Sequence, residues 1–213
     1  MLPAQSVETL HKICPAVPAR AGRTRCMRKH MEIRPAQTAD AVRIAEIYEF
    51  YVKNTVVTFD VAAPSVSDWE DHVRTMKKAG YPVLVGCEDG LAIGYAYLAP
   101  WKPRPAYRYT AEVSIYLDPA YTGAGRGRAL LECLLAAGRR AGIRQIIALI
   151  ADAGFGASIA LHKALGFRRI GRLSRVGFKH DNWVDVDLFQ LELDRPGRRD
   201  VTVSEVSCQE GET

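Results

Sequence analysis

The sequence predicts an α/β (α+β) fold: a mixed sheet of six or seven strands with helices on both faces. Three observations predict it. Apolar runs with strand spacing and runs with helix spacing alternate from Met31 to Leu193. In the middle, Glu112-Val113-Ser114-Ile115-Tyr116-Leu117 leads into the glycine-rich turn Thr122–Arg128 and the apolar run Ala129–Leu135. At the end, two strand-like runs follow one another across a short polar turn, which makes them an antiparallel pair.

Each element has its own signal. Residues 31–35 form a short strand. Thr38 or Asp40 caps a helix whose Ile44, Ile47, Tyr48 and Tyr51 fall at i, i+3, i+4 and i+7. Ser67-Asp68-Trp69-Glu70 reads as a capping box for a second helix reaching about Lys78. Tyr81 to Cys87 and Leu91 to Leu98 form a hairpin turned at Glu88-Asp89-Gly90. Arg108 to Leu117 is a long central strand. Helix 125–141 buries Leu130, Leu131, Leu134 and Leu135. Gln145 to Ile150 is apolar almost throughout, as in a strand buried on both faces. Ala157 to Leu165 is a short helix closed by Gly166 as its C′ residue. Arg168–Val176 and Trp183–Leu193 complete the sheet.

The 213 residues suit one domain with a real core and two tails. Residues 1–30 are expected to be a disordered basic extension, with a mis-assigned start before Met31 or a transit peptide as alternatives. The domain runs from 31 to 194, and 195–213 is a disordered tail. The net charge of +5 sits wholly in residues 1–30, which hold six basic side chains and one acidic. The remainder has 23 of each sign, so no basic footprint for nucleic acid is expected. No apolar stretch is long enough to span a bilayer, and no membrane partner is expected. The five cysteines are far apart with no CxxC, which favours reduced thiols in a cytoplasm. Cys87 and Cys133 fall in apolar stretches as small core residues.

The strand–turn–helix junction carries the chemistry. Glycines at 123, 125 and 127 let main chain approach a ligand, and a helix N-terminus offers unpaired N–H groups to a pyrophosphate. The loop lacks the Lys-Ser/Thr of a nucleotide triphosphatase. Arg126 and Arg128 can add charge-assisted bonds. Glu112 shares a strand face with Ser114 and Tyr116; a carboxylate there is either salt-bridged or a base for an ammonium. Both features suit an acyl-CoA-dependent transferase. His162 is either structural or a proton donor to a departing thiolate, its ordinary pKa of about 6.5 lying below a thiol's of about 8.5. Trp101, Lys102, Arg104, Tyr107 and Arg108 precede the strand, and Lys179, His180 and Trp183 lie near the last hairpin. They are either solvated surface or substrate contacts, with Arg108 placed to fork onto a carboxylate.

Together these segments resemble the GNAT superfamily of N-acetyltransferases, specifically its phosphinothricin and methionine-sulfoximine/sulfone acetyltransferase branch. The likeness is carried by Trp101-Lys102, Ala106–Glu112, Ile115-Tyr116-Leu117, Gly125-Arg126-Gly127, Leu161–Phe167 and Gly177–Val186. It spans about Met31 to Leu193.

The resemblance implies a GNAT sheet splayed between the central strand and the 145–150 strand, with acetyl-CoA in the splay. The main chain of Ile115, Tyr116 and Leu117 would pair with the pantetheine arm. Gly123, Ala124, Gly125, Arg126, Gly127 and Arg128 would hold the pyrophosphate, and Ser158 would assist. Glu112 falls on the acid that activates the amine, and His162 where many GNATs have a tyrosine proton donor. Arg108 matches the sulfoximine-type members; Trp101, Lys179 and His180 join it as substrate-binding candidates. Two positions depart: Thr122 replaces the usual Gln or Arg, and Phe155 the branch's Asn, which implies a weaker cofactor grip. The reaction implied is acetyl transfer from acetyl-CoA to the amino group of a small amino-acid-like compound, by a homodimer needing no metal. The alternatives are another amine (a polyamine, an aminoglycoside or a protein N-terminus) or a non-catalytic acyl-CoA sensor.

Overall fold

The computed structural model describes residues 31–152, 154 and 156–193. The expected tails and Phe155 lie outside the described residues. Seven strands form one sheet: β1 (Glu32–Pro35), β2 (Val83–Glu88), β3 (Leu91–Pro100), β4 (Thr110–Leu117), β5 (Gln145–Ala151), β6 (Arg168–Lys179) and β7 (Asn182–Glu192). Their order is β1-β2-β3-β4-β5-β7-β6, and only β4 with β5 is parallel. Four α-helices lie among the described residues: α1 (Ala41–Asn54), α2 (Val66–Lys78), α3 (Arg126–Arg140) and α4 (Ala157–Ala164).

The helices cover both faces, as the alternation requires. On one face α1 and α2 bury Ile44, Ile47, Trp69 and Val73 against Val83, Val85, Cys87 and Tyr95. On the other, Leu130, Leu131 and Leu134 of α3 and Leu165 beside α4 pack on Leu84, Ile93, Ile146 and Phe189. β2 shows the logic in six residues: all are buried, and neighbours point to opposite cores. Leu135 is only half-buried.

Four expectations are corrected. The box capping α2 begins at Ser65: its hydroxyl accepts from Asp68 N–H at 3.2 Å, and Asp68 accepts from Ser65 N–H at 2.8 Å. That earlier start puts Trp69 and Val73 on the buried face, one turn apart. The central strand begins at Thr110. Pro105 opens a 3-10 turn over Pro105–Tyr107, and Arg108 N–H closes it on the Pro105 carbonyl at 3.1 Å, so Arg108 precedes the strand. β5 is not buried throughout, because Leu149 is 40% exposed. Cys87 is a buried free thiol, while Cys133, also buried, is disulfide-bonded, which corrects the expectation of reduced thiols for that residue.

Candidate active site

The exposure of Leu149 has a cause in the pairing. β4 and β5 are joined only at Thr110↔Gln145, Ala111↔Ile146 and Glu112↔Ile147. Beyond Glu112, β4 continues along β3 to Leu117, and β5 continues along β7 to Ala151. Each far end is tied to its own half of the sheet. Tyr51 donates its hydroxyl to the Leu117 carbonyl at 2.6 Å, and Asp118 N–H donates to Ile93 at 2.8 Å. Arg172 of β6 donates to Asp152, just past β5, at 2.6 Å. The strands therefore part, and main-chain groups that a parallel sheet would pair face a cavity of about 380 Å³. Its lining brings together Glu112, Ser114, Ile115, Tyr116, Ser158 and His162.

Glu112 occupies the last paired position, where the strands separate. No ion pair or side-chain hydrogen bond engages its carboxylate among the described residues, which removes the salt-bridge reading. Burial pushes its pKa above the usual carboxylate range, and Lys102 pulls back at longer range. The residue is thus a base strengthened by its surroundings.

His162 comes from the facing side, on α4. It is 3% exposed, its ring edge-on to Phe167 at 4.9 Å between centroids. Nδ1 lies 2.8 Å from the Ser158 carbonyl, which can only accept, so the neutral ring carries its proton there and leaves Nε2 as a lone pair. Burial lowers its pKa, and the Ser158 bond offsets this in part. Both effects bear on the neutral ring, whose Nε2 is left free to accept a proton.

The glycine loop lies at the N-terminus of α3. Gly123, Ala124 and Gly125 have φ of 82°, 49° and 80°, three successive left-handed residues. Gly125 is the N-cap and supplies no side chain, so the helix end stays open. Arg126 N–H reaches Gly123 O and Ala129 N–H reaches Gly125 O, but the N–H groups of Gly127 and Arg128 meet no carbonyl among the described residues. Open donors and the positive end of a helix dipole are the features that suit an anion. Both arginines of the loop are engaged by carboxylates. Arg126 is held at 2.6 Å and 3.2 Å by the two oxygens of the buried Glu88, and Arg128 pairs with Glu132 at 2.9 Å. The Leu117 carbonyl accepts from the Tyr51 hydroxyl.

The four substrate-binding candidates do not line the cavity. Arg108 is exposed, its guanidinium 4.4 Å above the Tyr109 ring. Trp101 stacks under the Lys102 ammonium at 4.6 Å. His180 is exposed in the β6–β7 turn. Lys179 is buried, donating to the Thr58 carbonyl at 2.8 Å. The lining instead includes Tyr48, Val57, Thr58, Phe59, Tyr97 and Leu149, none expected from sequence as a site residue. Val57 and Phe59 carried a signal, being apolar residues between two helices with no helical face to join. Tyr97 carried none, because its strand alternation looks like core.

A family model described as an acetyltransferase (GNAT) domain matches residues 33–188. The chain is 37% identical over 183 residues to a phosphinothricin N-acetyltransferase of Alcaligenes faecalis, covering 86% of this chain and 92% of that one. It is 37% identical over 164 residues to an L-methionine sulfoximine/L-methionine sulfone acetyltransferase of Salmonella typhimurium, covering 77% and 95%. An acetyltransferase structure from Salmonella typhimurium, solved with its cofactor acetyl-CoA, superposes with a TM-score of 0.75 at 36% identity over 80% of this chain and 98% of that one. With a split sheet, an open helix end and a match over most of its length, the chain belongs to the GNAT acetyltransferase family.

Proposed function

We propose that this acetyltransferase moves the acetyl group of acetyl-CoA to the amino group of a small amino-acid-like compound of the phosphinothricin or methionine sulfoximine type. The observation that carries the reading is the unpaired carboxylate of Glu112 at the point where β4 and β5 part, with His162 lining the same cavity. The relatives' names supply the acceptor class. The open β4 edge and the α3 cradle fit an extended arm ending in a diphosphate.

The protonation states suggest an order of events. The ammonium of the acceptor gives one proton to Glu112, whose raised pKa narrows the gap to an amine. The free amine attacks the thioester carbon, with N–H groups of the Ile115–Leu117 main chain polarising the carbonyl. As the C–N bond forms and the C–S bond breaks, Nε2 of His162 takes the second nitrogen proton and passes it to sulfur. A neutral imidazole can accept before it donates, so the lowered pKa suits a shuttle.

One observation favours a different acceptor. Among the described lining residues there is an acid but no arginine or lysine, which suits an amine without a carboxylate. One experiment separates the two: thiol release from acetyl-CoA with phosphinothricin, methionine sulfoximine, methionine sulfone and carboxylate-free amines. Preference for the first three supports the proposal, preference for the last the rival, and no release with any amine removes the enzymatic reading of this site.

We further place the catalytic domain at residues 31–194, in a cytoplasmic enzyme that forms a homodimer. For the dimer, the support is the edge strand β6, which with Trp183 exposes Ile170, Leu173, Val176 and Phe178, each between 45% and 56%. For the location, the support is the need for acetyl-CoA. No described helix is long and apolar enough to cross a membrane.

A further inference from the structure

Resting on this reading of the cleft, we infer that Gly177 and Lys179 of β6 are positioning residues: they dock the segment 55–60 across the cavity and so set the width of its acceptor end. The segment follows α1, and none of its residues belongs to a helix or strand. Val57, Thr58 and Phe59 line the cavity opposite β4. An irregular segment forming a wall needs holding from outside.

It is held from two sides. From α1, the Tyr48 hydroxyl lies 2.5 Å from Thr58 Oγ1 and donates to Asp60 Oδ2 at 2.7 Å. From β6, the Lys179 ammonium, 5% exposed, donates to the Thr58 carbonyl at 2.8 Å. Two residues earlier, the Phe59 ring lies on Gly177, where an added Cβ would sit 2.5 Å from the ring. Gly177 has no left-handed φ, so alanine fits its backbone and the nearest clash falls on Phe59. β6 shifts register against β7 between Leu173 and Gly177, which places the docking spot at an irregular point of the hairpin. The donor end of the cleft, at the main chain of β4 and the α3 N-terminus, shares none of these contacts.

The test compares the parent with Gly177→Ala and Lys179→Met. Both variants should raise the acceptor KM about tenfold and reorder the amine panel, leaving the acetyl-CoA KM within about twofold. Amide hydrogen exchange in 55–60 should quicken in both variants, with 126–140 unchanged; this needs no turnover. Unchanged exchange in 55–60 overturns the docking. Faster exchange with an unmoved acceptor KM, or an equal rise in both KM values, overturns the assignment to the acceptor end. If the parent acetylates no amine, the proposed function fails while the exchange arm still decides the docking.

Discussion

Glu112 shows how one side chain's surroundings can trade stability for chemistry. Burial raises its pKa, so the folded state holds this proton more tightly than the unfolded chain does. The sign follows: as pH rises from the ordinary glutamate value through the folded one, this residue removes stability. Glu112→Gln should therefore melt higher than the parent at pH 8, with a smaller gain at pH 4, read by scanning calorimetry. The same variant should lose about 100-fold or more in kcat while binding CoA unchanged, read by thiol release and titration calorimetry. His162 runs the other way. Its folded pKa is depressed, so its stability contribution fades as pH falls from about 6.5 through the folded value. His162→Gln should flatten the decline of melting temperature between pH 7 and pH 5; an equal decline in both proteins would mean the ring is not buried neutral. Glu112 was legible as a residue type out of place in an apolar strand. That it lacks a salt bridge among the described residues was not, because partners from other elements are invisible in a one-dimensional pattern.

At the scale of elements, α3 combines a legible helix with an unusual end. Its apolar spacing and glycines read directly, and its first turn is left open because Gly125 caps it with no side chain. Gly125→Ala places a Cβ residue at φ 80°, which costs roughly 1 kcal/mol and disturbs the turn that presents the N–H groups. The expected outcome is an acetyl-CoA KM raised by about fivefold or more with the acceptor KM little changed, measured by varying each substrate in turn. Element ends were where sequence reading slipped. Ser65-x-x-Asp68 and Ser67-x-x-Glu70 are both plausible boxes, and burial of Trp69 and Val73 against β2 and β3 selects the first. Arg108 looked like strand until the Pro105 turn took it. Arg126 and Arg128 read as basic residues of a glycine loop, while their carboxylate partners, Glu88 far off in sequence on β2 and Glu132 four residues on, are supplied by the fold.

For the whole molecule, the decisive feature is a sheet that is continuous at one end and split at the other. Helices cover both of its faces, so the split leaves a cleft between the two halves of the sheet. The proposed homodimer belongs at this scale as well. A Phe178→Glu, Trp183→Glu double variant puts charge on the exposed apolar edge and should sediment as a monomer where the parent sediments as a dimer.

By itself the sequence determined the layer order, the seven strand-like segments, the pairing of acid and glycine loop, and the likeness to one acetyltransferase branch. Those properties rest on local period and local residue chemistry, which a chain carries wherever it goes. Only the tertiary structure decided which charges are spent on one another, that Lys179 serves the wall at Thr58, and that β4 and β5 separate just after Glu112. Such outcomes depend on contacts between residues up to 121 positions apart, as Lys179 and Thr58 are, and no local pattern encodes them.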